Sequence, residues 1–195
     1  MIEALIAEAR RSIADGGFVM PPLVLAAAAL WYALGWRALT LIRGARGDVA
    51  HLLAADRPPR FGVLGQAFAA LAPLRGAGYS AEDLDALIEE RLATLHRTLR
   101  GYRPLVSGLV MTAPLAGLLG TVSGMIETFD GLGDGALFAA TGGVAGGISQ
   151  ALLTTQMGLL VAVPGVIVGR YLDRRQHMLE DDLSRLRTLL VEGAR

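Results

Sequence analysis

The chain has 195 residues, 53% of them hydrophobic, with 18 basic against 18 acidic residues and no cysteine. Charged residues make up 18% of the chain, below the roughly 25% of an ordinary soluble domain, and the mean hydropathy is +0.47. This balance argues against a water-soluble enzyme. The missing cysteines exclude a disulfide framework, a thiolate nucleophile and a zinc–thiolate centre, and zero net charge removes any general pull toward nucleic acid.

Residues 1–15 carry Ile2, Leu5, Ile6, Ala9 and Ile13 at helical spacing, which predicts a short external amphipathic helix on the membrane–water boundary. No charge separates Asp15 from Arg37, and a run of that length covers the roughly 20 residues needed to cross a bilayer. A first transmembrane helix is therefore expected over 16–40. The mixed charges ahead of it and its length read against a cleaved signal peptide. Residues 41–103 read as a cytoplasmic helical region. It holds Ala/Leu-rich pieces at 48–56 and 61–76, broken at Pro58 and Pro59 and ended by Gly76 and Gly78. Ser80 is a good N-cap, with Glu82, Asp83 and Asp85 where the helix dipole favours negative charge. Leu84, Leu87, Ile88, Leu92, Leu95 and Leu99 then form an amphipathic face running to Pro104.

The next uncharged run, between Arg103 and Glu127, predicts a second transmembrane helix over 104–129, followed by a short external loop at 130–142. Residues 135–169 are again uncharged and predict a third over 143–170. Leu172, Leu179, Leu183, Leu186 and Leu190 extend it as a cytoplasmic C-terminal helix, 171–195. Every basic residue is an arginine, and the arginines flank the ends at 37–60, 91–103 and 170–175, while the loop after the second run has acids only. The bias of arginine toward the cytoplasm places the N-terminus outside and the C-terminus inside. Arg10 and Arg11, offset by Glu3, Glu8 and Asp15, are the one exception. The expected fold is all-α, a polytopic membrane protein with three transmembrane helices and long cytoplasmic helical extensions.

Membrane helices associate through close packing and polar contacts, and small residues four apart let backbones approach. Ala113 with Gly117, Gly120 with Gly124, and Gly143 with Gly147 have that spacing, and Gly158 continues the small face of the third run. Pro114 and Pro164 inside the runs are tolerated only where neighbours satisfy the carbonyls they free. Polar side chains share these segments: Thr112, Thr121, Ser123 and Thr128 in the second; Ser149, Gln150, Thr154, Thr155 and Gln156 in the third. At 100° per residue Gln150 and Thr154 share a face, Ser149 and Gln156 another, and Thr155 a third with Ala151, Gly158 and Ala162. One lipid-facing helix cannot hide them all. Either several faces meet protein or one lines a wet path, and polar groups at that depth point to function. Back-bonding of Ser and Thr to carbonyls one turn earlier is the plainer reading for any single hydroxyl.

His51, His96 and His177 show no metal-ligand spacing, and the glycine clusters contain neither GxGxxG after a strand nor GKS or GKT. No metal, cofactor or catalytic constellation is expected.

The stretch APLAGLLGTVSGMIETF at 113–129, followed by GISQALLTTQMGLLVAVP at 147–164, resembles the signature of the MotA/TolQ/ExbB proton-channel family, most closely its ExbB branch. The resemblance implies a homopentameric ring in the bacterial inner membrane around single-span helices of an ExbD- or TolR-like partner, with lipid outside. It also implies coupling of the proton-motive force to a TonB-like protein for outer-membrane import. The pore threonines of the family fall on Thr121 and Thr155, and Thr154 and Gln150 join them as candidate pathway residues. At the third-span position where ExbB and TolQ proteins often carry a glutamate this chain has Gln150, which organises hydrogen bonds but does not titrate. No ionisable residue lies between Pro104 and Ile126 or between Gly135 and Gly169, so a carboxylate from another chain must carry any transported proton. The resemblance supplies it as an aspartate of the ExbD-like helix. Glu127 is a candidate outer-mouth carboxylate. A TolQ-like subunit of a Tol-Pal-type envelope system and a passive membrane scaffold are the competing readings.

Overall fold

The computed structural model describes residues 16–44, 48–54, 61–74, 79–133 and 144–193, together with Glu3 and Pro59. The amphipathic helix expected over 1–15, most of the 130–142 loop, Gly143, Pro58, Gly76 and Gly78 lie outside them. All regular structure among the described residues is helical: α1 (Met20–Thr40), α2 (Val49–Ala54), α3 (Gly62–Leu71), α4 (Ala81–Arg100), α5 (Arg103–Gly133) and α6 (Val144–Glu192). Short 3-10 turns stand at Gly17–Val19 and Ala72–Leu74. Three helical stretches are long and apolar enough to cross a membrane, one at Gly17–Thr40, one ending at Asp130 and one within Val144–Glu192. The all-α, three-span reading holds.

The chain divides into two compact units, one from Met1–Ala33 and Pro104–Val168, the other from Leu34–Arg103 and Gly169–Arg195. The first contains the apolar runs. Its α5 and α6 pack antiparallel along small residues, which bring backbone to backbone. A Cβ added at Gly117 would lie 2.9 Å from the Thr154 carbonyl oxygen and 3.4 Å from Gly158 Cα, and one at Gly158 would lie 2.8 Å from the Ala113 carbonyl. Toward the other end, Gly124 abuts the Gly147 carbonyl and lies against Ala151. At Gly165 the same absence of a side chain admits Leu30 of α1 and Val110 of α5, so three helices meet there. Close approach of this kind replaces the hydrophobic drive that is missing in lipid. Leu115, Leu118, Val122 and Phe129 of α5, and Leu152, Leu160 and Ile167 of α6, are left on the outside, as expected for helices whose outer faces meet acyl chains.

The second unit is built as in a soluble protein. Leu64, Phe68 and Leu71 of α3, Leu84, Ile88, Leu92 and Leu99 of α4, and Leu172, Leu179, Leu183 and Leu186 of α6 are all buried, each such side chain contributing about 1.5–3 kcal/mol. Ser80 caps α4: its hydroxyl oxygen accepts the Asp83 N–H at 3.2 Å. Where the chain after α1 crosses the start of α3, Val63 N–H donates to the Ile42 carbonyl at 2.9 Å. Gly44 and Gly62 hold φ of +81° and +76° there with each other's backbone in the way of any Cβ. Tyr102, at φ 58°, ends the α4 direction before α5 begins, so the helix expected over 80–103 does not run unbroken into the second span.

Ion pairs tie α6 to the rest of this unit. Arg43 makes a two-pronged bond to Asp182 at 2.7 and 3.1 Å, and Arg187 pairs with Asp85 at 2.6 Å and Glu89 at 3.0 Å. The hydrogen bond from Arg187 holds the Asp85 carboxyl below its ordinary value. Burial pushes Glu180 upward, but hydrogen bonds from Gln176 and Arg100 outweigh it and leave that carboxyl below its ordinary value as well. Arg37 is almost wholly buried, at 1% exposure. It donates to Asp173 Oδ1 at 2.9 Å and Gln176 Oε1 at 2.8 Å, while its Nε is the one buried side-chain nitrogen or oxygen among the described residues with no hydrogen-bond partner.

Candidate functional site

The polar side chains of the apolar runs divide according to what α5 and α6 do to each other. Thr154 is fully buried, and its side chain fills the space left by the missing side chain of Gly120. Its hydroxyl donates to the Gln150 and Ala151 carbonyls, both at 3.0 Å. Thr128 does the same further along, packed against Gly147 and bonded to the Gly124 carbonyl at 2.8 Å. Thr121 is half-buried and donates to Leu118 O at 2.6 Å. Back-bonding thus satisfies these hydroxyls locally, which is how a threonine enters an apolar helix at low cost.

Thr155 differs. It is half-buried, and its hydroxyl lies 3.3 Å from the Ala151 carbonyl on its own helix and 3.4 Å from the Gly117 carbonyl of α5. It is the one pathway threonine bonded to a second helix among the described residues. Both bonds are long, so the hydroxyl is held weakly and stands ready for a better partner. Ser149 and Gln156 face outward. Pro114 and Pro164 sit half-buried within unbroken helices.

Gln150 is 7% exposed, and its amide nitrogen donates to Glu127 Oε1 at 3.1 Å. Glu127 itself is exposed. On the other side of the amide stands Gly17, at φ +64°, where a Cβ would collide with the Gln150 nitrogen. Sequence spacing gave no hint of this three-way meeting, because periodicity speaks for one helix at a time. It equally missed the buried Arg37, Asp173 and Gln176 cluster, for which the only signal was that Arg37 is the first charge after an apolar run. No group of three or more His, Asp or Glu suited to a metal ion occurs among the described residues.

Three bilayer-length helices, two of them packed through glycine with hydroxyl and amide groups between and beside them, define a helical multi-pass membrane protein. Residues 63–185 match the model of the MotA/TolQ/ExbB proton channel family, and the chain belongs to that family. The biopolymer transport protein exbB1 of Vibrio cholerae is 31% identical over 170 residues, covering 76% of this chain and 72% of its own. The biopolymer transport protein ExbB-like 1 of Synechocystis is 38% identical over 104 residues, 52% of this chain and 41% of its own. The Tol-Pal system protein TolQ of Pseudomonas aeruginosa is 38% identical over 76 residues, 39% and 32%. The chain spans less than half the length of the Synechocystis relatives it matches. With its three apolar helices and these relatives, the chain is a multi-pass protein of the bacterial inner membrane.

Proposed function

We propose that the chain is an ExbB-like subunit of an inner-membrane proton-driven motor. Copies form a pentameric ring around helices of an ExbD-like single-span partner, and proton flow is coupled to a TonB-like protein that drives outer-membrane import. The N-terminus is periplasmic and the C-terminus cytoplasmic, following the arginine distribution. One observation carries the reading: the packed α5–α6 pair offers hydroxyls and an amide but no ionisable group from Pro104 to Ile126 or from Val144 to Gly169. Such a surface solvates a proton carrier without being one, so the carrier is a carboxylate of the partner helix. Thr155, with its two long bonds, and Thr121 are the hydroxyls that meet that carboxylate or a bridging water. Thr154 acts on the packed side, where its bonds to Gln150 and Ala151 shape the turn that presents Thr155. Ala113, Gly117, Gly120, Gly124, Gly147 and Gly158 set the helix spacing, and Pro114 and Pro164 supply freed carbonyls.

The test is native mass and proton flux of the detergent-extracted chain, alone and with an aspartate-bearing single-span partner. A ring of five 20.5 kDa chains, about 103 kDa, that gains partner mass and conducts protons in vesicles supports the reading. A stable monomer in both samples overturns it. The TolQ relatives favour a second reading, a subunit of a Tol-Pal-type envelope system. Restoration of TonB-dependent import in cells lacking ExbB, against restoration of envelope integrity in cells lacking TolQ, separates the two.

A further inference from the structure

Glu127 is the first ionisable residue after the uncharged stretch of α5, and in sequence it stands 23 residues from the amide that binds it. Gln150 is buried on α6, with Gly17 close beside its amide, and it donates to the exposed Glu127 carboxylate. The two ends of this one hydrogen bond therefore differ in kind: the amide is buried in protein, and the carboxylate is open to the surroundings.

We propose that Glu127 and Gln150 act as one proton-accepting unit at the mouth of the path, in which Glu127 carries the charge and Gln150 is its positioning residue. The proposal rests on the channel reading above and adds to it a carboxylate on this chain. An amide suits the task because it has both a donor and an acceptor. While Glu127 is ionised, the Gln150 N–H donates to it in a charge-assisted bond. When the carboxylate oxygen takes a proton from hydronium at the mouth, leaving water, the amide turns and its Oε1 accepts the new O–H. The hydrogen bond between the two side chains is kept in both states, so the proton comes and goes without the penalty that an apolar neighbour would impose. The proton then passes to the carboxylate of the partner helix, and Glu127 returns to its ionised form. Gly17 makes the arrangement possible because any side chain there would displace the amide.

The pair gives a test that a merely structural glutamate would not pass, because exchanging the two residues keeps one carboxylate and one amide within the same hydrogen bond at the same mouth and changes only which end is the more buried. Proton flux is measured in vesicles holding the full chain and an aspartate-bearing single-span partner, for the wild type, Glu127→Gln, and the exchange Glu127→Gln with Gln150→Glu, with native mass checked for each. Glu127→Gln is expected to lower flux by about a hundredfold, the scale of one positioned proton-transfer group. The exchange is expected to restore most of it, with ring mass unchanged in both. Wild-type flux in Glu127→Gln overturns the proposal, as does an assembled exchange variant as inactive as the single one. A wild type that assembles with the partner but passes no protons overturns the channel reading itself, and this proposal with it.

Discussion

Thr155 differs from the other threonines of α5 and α6 in how its hydroxyl is held. Its hydroxyl hydrogen faces two carbonyls at 3.3 and 3.4 Å, whereas those of Thr121, Thr128 and Thr154 are bonded at 2.6 to 3.0 Å. Valine has the same branched shape without the hydroxyl, so Thr155→Val removes two long bonds and is expected to leave helix packing and native mass unchanged. Proton flux in vesicles should fall to background. A passive scaffold would tolerate the change, and full flux would count against the proton path. Arg37 makes the opposite case, a residue whose effect is on stability. Arg37→Ala strips the fully buried Gln176 of one hydrogen-bond partner and Asp173 of an ion pair. Leaving such a group unpaired costs about 1–3 kcal/mol, to be seen as a lower unfolding temperature in detergent. Arg37→Met keeps more of the buried volume and should lose less.

At the level of helices, the α5–α6 pair depends on side chains that are absent. A β-carbon at Gly117 would press on the Thr154 carbonyl at 2.9 Å and Thr155 Cα at 3.1 Å, and backbone cannot move aside as a flexible side chain does. Gly117→Ala is therefore expected to push the helices apart at a cost of about 1–3 kcal/mol, the usual penalty of overpacking. Because Thr155 bonds to the Gly117 carbonyl, flux should fall together with thermal stability. Gly35, with open space around its Cα, is the control: Gly35→Ala should leave both unchanged. The glycine spacing made this pairing legible from the chain alone, since small residues at 113, 117, 120 and 124 have few other uses on an apolar helix. The register, with Gly117 beside Thr154 and Gly158 and Gly124 beside Gly147 and Ala151, was not legible. Shifting one helix by a turn keeps a small face opposite a small face.

For the molecule as a whole, the unit formed by Leu34–Arg103 and Gly169–Arg195 carries the pH dependence. Asp85 and Glu180 both have carboxyls held below their ordinary values of 3.8 and 4.5. A carboxyl with a lowered folded-state pKa stabilises the fold above its unfolded value, and that contribution is lost as the pH falls through the folded one. Protection of α4 and the C-terminal part of α6 from hydrogen exchange, taken relative to the intrinsic amide rate at each pH, should thus be unchanged from neutral pH down to about 5, and fall below the ordinary carboxylate range. Protection that falls between about pH 7 and 6 would instead implicate histidine.

Charge-free stretches at 16–36, 104–126 and 135–169, and the arginines around them, by themselves determined an all-helical chain with three bilayer-length helices. Burial in lipid is a matter of composition and length, and both are written locally. The residues that resemble the proton-channel family were equally plain, because two motifs with fixed proline and glycine positions need no folding to be read. Only the tertiary structure decided that Gln150 bonds Glu127 beside Gly17, that Thr155 rather than Thr154 hydrogen-bonds the neighbouring helix, and that Arg37 is buried against Asp173 and Gln176. Each of these joins residues on different elements. A helical period assigns a side chain to a face, but which residue lies opposite that face depends on the register and rotation of the partner helix, which close packing fixes only when both are folded.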